Sequence, residues 1–114
     1  MMKPGIYHVK FSPVASTMFG EGLAVFRDGK VNGGDPGYLY QGSYEIDDTR
    51  ITAKLHVKRW NPAWASVFGN LTEYDLALKG QMPADGSLFY AEGAVVQHPQ
   101  LKLTVNGRRL ADAV

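Results

Sequence analysis

The stretch Gly29-Lys30-Val31-Asn32-Gly33-Gly34-Asp35-Pro36-Gly37-Tyr38-Leu39-Tyr40-Gln41-Gly42-Ser43-Tyr44 decides the fold. Its first half is dense in Gly, Asn, Asp and Pro, which supply the backbone angles of sharp reversals. Its second half sets Tyr38, Tyr40 and Tyr44 on one parity. Strand side chains point to alternate faces, so these three rings share a face. A reversal followed by a strand with one aromatic face belongs to a β-barrel or a β-sandwich.

Outward from this stretch the same alternation repeats. Tyr7, Val9 and Phe11 alternate with His8 and Lys10, which predicts a strand from Ile6 to Ser12. A second runs from Gly20 to Arg27, with Leu23 and Val25 on one face and Ala24 and Phe26 on the other. Asp28-Gly29 is a two-residue hairpin signal. On the fifth strand Ile51, Ala53, Leu55 and Val57 alternate with Thr52, Lys54, His56 and Lys58, as in a half-buried antiparallel strand. Tyr74, Leu76 and Leu78 mark a sixth, Leu88–Val96 a seventh with a bend at Gly93, and Leu101, Leu103 and Val105 the last. Asn106-Gly107 is expected to bend or end that strand and to leave Arg108–Val114 frayed. Eight short strands with turns every ~8–12 residues predict a sandwich or a closed barrel. An eight-stranded barrel is filled by side chains or holds one small ligand.

One segment breaks the pattern. In Trp60–Asn70, Asn61 suits an N-cap, Pro62 the first helical position and Gly69 the C-terminal stop. Trp64, Val67 and Phe68 then fall on one face, which predicts a short helix over residues 62–68. These three side chains either cap a barrel end or form a partner surface.

The chain of 114 residues is sized for one domain spanning residues 1–114. Its 45% hydrophobic content supports a core. A net charge of +1 gives no global pull toward nucleic acid. The absence of cysteine excludes disulfides, thiol catalysis and Cys-type zinc sites. With no signal-peptide-like or membrane-length apolar run, the expected location is the cytoplasm.

Catalytic signatures are sparse. Gly29-Lys30 and Gly33-Gly34 lack phosphate-loop spacing and precede a strand. Asp35 reads as a turn residue whose carboxylate accepts nearby backbone N–H groups. His8, His56 and His98 have no ligand spacing, so neither metal nor cofactor is expected. Lys54, His56, Lys58 and Trp60 share a parity that could serve single-stranded nucleic acid, but read more simply as a solvated outer face. An enzyme reading would draw on Asp35, Glu92 and His56 at a barrel mouth. Glu92 shares parity with Leu88, Tyr90, Ala94 and Val96; if that face is inward, the carboxylate is buried and needs a partner such as Arg27 or Arg59. On the apolar parities, the expected interior lining is Tyr7, Val9, Tyr40, Leu55, Val57, Leu76, Leu78 and Tyr90.

Several pieces occur in one order: Gly5-Ile6-Tyr7, Gly20-Glu21-Gly22, Gly33-Gly34-Asp35 with Tyr40-Gln41-Gly42 after it, and His56-Val57-Lys58-Arg59-Trp60-Asn61. Together they resemble the GrlR family, bacterial negative regulators of type III secretion, over most of the chain. The resemblance implies an all-β, calycin-like (lipocalin-like) up-and-down barrel of eight antiparallel strands that pairs as a homodimer. It implies a non-catalytic regulator that binds a transcriptional activator and can hold a lipid-like apolar ligand. The family's regulator engages its activator through an acidic Glu-Asp-Glu-Asp loop between the fourth and fifth strands. Here the matching loop reads Glu45-Ile46-Asp47-Asp48-Thr49-Arg50, a shorter acidic run followed by a cation. On that carry-over, Asp47 and Asp48, with Trp64, Val67 and Phe68, are the expected partner-binding residues.

Overall fold

A computed structural model describes residues 3–83 and 85–114. Each alternating run is a strand: β1 Gly5–Pro13, β2 Gly20–Arg27, β3 Lys30–Gly34, β4 Tyr38–Asp47, β5 Arg50–Arg59, β6 Glu73–Gln81, β7 Leu88–Val95 and β8 His98–Ala111. Every strand pairs antiparallel with the next, and β8 returns to β1, closing an up-and-down barrel. The closing seam runs from Pro13↔Leu103 to Ile6↔Ala111. Closure pairs every edge that an open sheet would expose.

Turn chemistry places the reversals. Asp28 (φ 52°) and Gly29 (φ 77°) both sit in the left-handed region, as a tight hairpin with the twist of its strands requires. In the turn from β4 to β5, Asp48 alone takes the left-handed region (φ 59°).

Inward positions form one continuous core that includes Tyr7, Ala24, Phe26, Val31, Tyr38, Tyr40, Val57, Leu76, Phe89 and Leu103. The barrel therefore chooses the Ala24/Phe26 face of β2 and leaves Leu23 exposed. On β7 it chooses Phe89, Ala91 and Val95, so Tyr90, expected inside, is 43% exposed on the outer face beside Leu88 and Glu92. Both faces of that strand are apolar in sequence. Packing breaks the tie, because the Phe89 ring completes an aromatic cluster with Tyr7 (5.8 Å) and Phe26 (5.5 Å). Glu92 is exposed and needs no buried cation.

Two other expectations are corrected. There is no helix at residues 62–68, nor elsewhere among the described residues. Asn61 does cap, its Oδ1 accepting from Ala63 N at 3.1 Å, but the chain makes a single turn. Ser66 and Gly69 then pair with each other through both backbone bonds. A helix of this length repays its nucleation cost only poorly, and Ser66 Oγ takes the Phe68 N–H that a helix would use. The C-terminal tail is not frayed as expected, since β8 continues through Asn106-Gly107 to Ala111. Gly107 is there for space: a Cβ would lie 2.0 Å from the Phe89 ring.

An up-and-down barrel puts alternate connections at opposite ends. One end carries the β3–β4 loop Asp35–Gly37 and the long segment 60–72 between β5 and β6. The other carries the Asp28-Gly29 and Asp48-Thr49 hairpins, the β6–β7 connection and both termini.

Candidate functional site

The barrel interior holds an apolar cavity of about 70 Å³. Of the residues expected to line it, Val9, Tyr40, Leu55, Val57, Leu76 and Leu78 do so. Tyr7 is fully buried but lies outside the lining, toward the end that carries the termini. Its hydroxyl is 2.7 Å from Gly86 O and 2.9 Å from Lys3 O, and its ring meets Phe26 edge-on at 5.2 Å. Burial, partly offset by Arg109, keeps its hydroxyl above the ordinary phenol range. Phe26, Phe89 and Tyr74 also line the cavity and were not foreseen. Tyr74 shares parity with Leu76 and Leu78, so its signal was in the sequence. Phe26 and Phe89 needed the choice between two apolar faces.

The polar groups bordering this cavity gather at the other end. Asp35 organises them. Its Oδ1 accepts from Gly37 N at 2.8 Å and Tyr38 N at 2.7 Å, and its Oδ2 accepts from the Tyr40 hydroxyl. This is the turn role expected for Asp35, with Tyr40 added. Burial and the hydrogen bond to Asp35 push the Tyr40 hydroxyl far above its ordinary range. Tyr74 is held up at about 12 by burial, with its hydroxyl 3.3 Å from the buried Ser66 Oγ. Tyr38 donates to Leu71 O at 2.6 Å.

Segment 60–72 is thus strapped over the mouth. Trp60 donates its indole N–H to Asp35 O at 3.1 Å and its backbone N–H to Gly37 O at 2.9 Å. Trp64 packs on Gly37, where a Cβ would lie 2.5 Å from the Trp64 Cβ. Phe68 and Leu71 turn toward the core, Phe68 meeting Tyr74 edge-on at 6.0 Å. The two indoles face outward, Trp60 54% and Trp64 52% exposed.

The expected partner-binding residues are not one patch. Trp64, Val67 and Phe68 sit at the strapped mouth, with Val67 and Phe68 partly buried, whereas Asp47 and Asp48 lie on a hairpin at the opposite end. Arg50 reaches Asp47 at 3.4 Å, an exposed ion pair that dilutes the acidic character of the loop.

Nor do the enzyme candidates converge. Asp35 is in the mouth loop, Glu92 on the outer face of β7, and His56 on the outer face of β5. His56 belongs to a separate cluster: Nδ1 lies 2.8 Å from Asp75 and Nε2 2.6 Å from Glu73. Both ring nitrogens face carboxylates, which favours the imidazolium that donates from each. Asp75, then Glu73, raises the His56 pKa, and His56, with Gln97, lowers that of Asp75. These acids break the basic strip of Lys54, His56, Lys58 and Trp60, all exposed. No group of metal-ligating residues occurs among the described residues, and no helix among them is long and apolar enough to cross a membrane.

A family profile described as a T3SS negative regulator, GrlR, matches residues 2–113. No curated protein matches the chain. Among solved structures, the isotype 1 transferrin binding protein B from serogroup B Neisseria meningitidis aligns with a TM-score of 0.53 at 10% identity, over 95% of this chain and 26% of that one. At that identity the likeness concerns the barrel alone, and this chain spans about a quarter of that protein's length.

Proposed function

This chain belongs to the GrlR family, negative regulators of type III secretion, and from that membership we propose that it restrains a transcriptional activator by binding it. The observation that carries the reading is the family match across residues 2–113. The exposed Asp47–Asp48 hairpin supplies a surface for a basic partner. Binding is non-catalytic on this reading, works in the cytoplasm and is made by a homodimer. The apolar interior holds a small apolar or lipid-like molecule.

The test is a type III secretion reporter in the bacterium that carries the gene. Expression of the chain lowers reporter output, and Asp47→Lys with Asp48→Lys restores it while the protein accumulates normally. Charges at an interface rim act mainly on encounter, so the reversal also removes the attraction that salt screens, and association of the variant no longer weakens as salt rises. Unchanged reporter output on expression or deletion of the chain counts against the reading.

A further inference from the structure

The cavity of about 70 Å³ is well below the roughly 300–1,000 Å³ of sites that enclose drug-sized ligands. An occupant larger than a few atoms therefore needs the interior to give way somewhere. The two ends differ in how easily they can. At the end that carries the termini, Tyr7 is wedged among Phe26 and Phe89, and the strand around it is paired on both sides. At the mouth, segment 60–72 has one two-residue bridge of its own. It is held by the Tyr38–Leu71 and Tyr74–Ser66 bonds, by side-chain bonds from Trp60 to Asp35 O and from Asn61 to Pro36 O, by the packing of Trp64 on Gly37 and of Phe68 on Tyr74, and by backbone bonds at its ends.

The same end sets the chemistry. The hydroxyls beside the cavity are those of Tyr40 and Tyr74, and behind Tyr40 stands the Asp35 carboxylate. An anionic head group placed there meets that carboxylate in a poorly solvated site, where like charges repel strongly. A hydroxyl meets no such penalty, and can both donate and accept.

We propose that the segment Trp60–Leu71 is the movable entrance of the barrel, and that Tyr40 and Tyr74 beneath it receive the hydroxyl of an uncharged apolar ligand. The proposal rests on the interior-ligand reading above. Both tryptophans of the chain lie in this segment, so intrinsic fluorescence reports its movement directly.

The test titrates the full chain with 1-octanol and with octanoate. Tryptophan emission is followed alongside equilibrium dialysis of each probe. 1-Octanol is expected to bind saturably with a matching emission change, and octanoate roughly tenfold more weakly. Ser66→Ala, which removes the segment's hydrogen bond to Tyr74, speeds 1-octanol association roughly threefold, whereas Tyr7→Phe at the far end leaves the rate unchanged. Circular dichroism of each variant checks that it is folded. Dialysis binding without an emission change, or with no response to Ser66→Ala, overturns the entrance while leaving the interior reading intact. Equal binding of octanoate overturns the head-group selectivity. No binding of either probe to wild type or to Ser66→Ala defeats the interior reading itself, and the proposal with it.

Discussion

At the residue scale, the structure turns on single atoms in tight places. A Cβ at Gly42 would lie 1.9 Å from Lys54 O and 2.9 Å from the Leu55 Cα, where only backbone movement gives relief. Gly42→Ala is expected to destabilise the barrel by about 1–3 kcal/mol, measured as a lower urea midpoint. Asp35→Ala removes the acceptor for two backbone N–H groups and for Tyr40, and is expected to cost about 2–4 kcal/mol. The His56 cluster gives a signed pH dependence. The raised His56 pKa contributes stability that is complete below its ordinary 6.5 and fades as pH climbs through the elevated folded value. The lowered Asp75 pKa contributes stability present above its ordinary 3.8 and lost as pH falls through the depressed folded value. Both act together between 3.8 and 6.5, so His56→Gln should flatten the stability profile most on its alkaline side. Urea midpoints across pH check this, and an NMR titration placing His56 at or below 6.5 contradicts it. The Asp35 turn role was legible because Asp between Gly and Pro has few other uses. The His56 pairs were not, since they depend on β5–β6 register, which sets His56 opposite Asp75.

At the element scale, strands with one apolar face were readable and strands with two were not. β5 alternates cleanly, and its inward set is Ile51, Ala53, Leu55 and Val57. β7 offers Leu88 and Tyr90 against Phe89 and Ala91, and only the aromatic cluster around Tyr7 decides between them. The segment after β5 carried helix signals in Asn61, Pro62 and Gly69, yet long-range contacts to Gly37, Tyr38 and Tyr74 outweigh local propensity. Likewise Asn106-Gly107 has the composition of a turn but runs straight, because β8 is paired on both sides there. Deleting Arg108–Val114 removes the partners of Ile6, Tyr7 and His8 on β1 and of Leu88 on β7. The truncated chain is expected to lose cooperative thermal unfolding, followed by circular dichroism. A sharp transition near the wild-type temperature would show that the seam above Gly107 is dispensable.

At the scale of the whole molecule, closure divides the surface into two ends with different chemistry. One end has the strapped mouth, two outward indoles and the Tyr38, Tyr40 and Tyr74 hydroxyls. The other has the acidic hairpin and both termini. The sequence grouped Asp47, Asp48, Trp64, Val67 and Phe68 as partner-binding residues, but up-and-down topology puts them at opposite ends. A single small partner surface therefore takes in the hairpin or the mouth, and on the proposed reading the acidic hairpin is the one that meets a basic activator. The proposed regulator is tested most directly by a titration of the purified chain with the type III secretion activator of the same bacterium, read by fluorescence anisotropy at two salt concentrations. The account predicts saturable binding, weakened roughly tenfold by Asp47→Lys with Asp48→Lys and little changed by Trp64→Ala. Absence of binding at low salt, or binding indifferent to the hairpin charges, would contradict it.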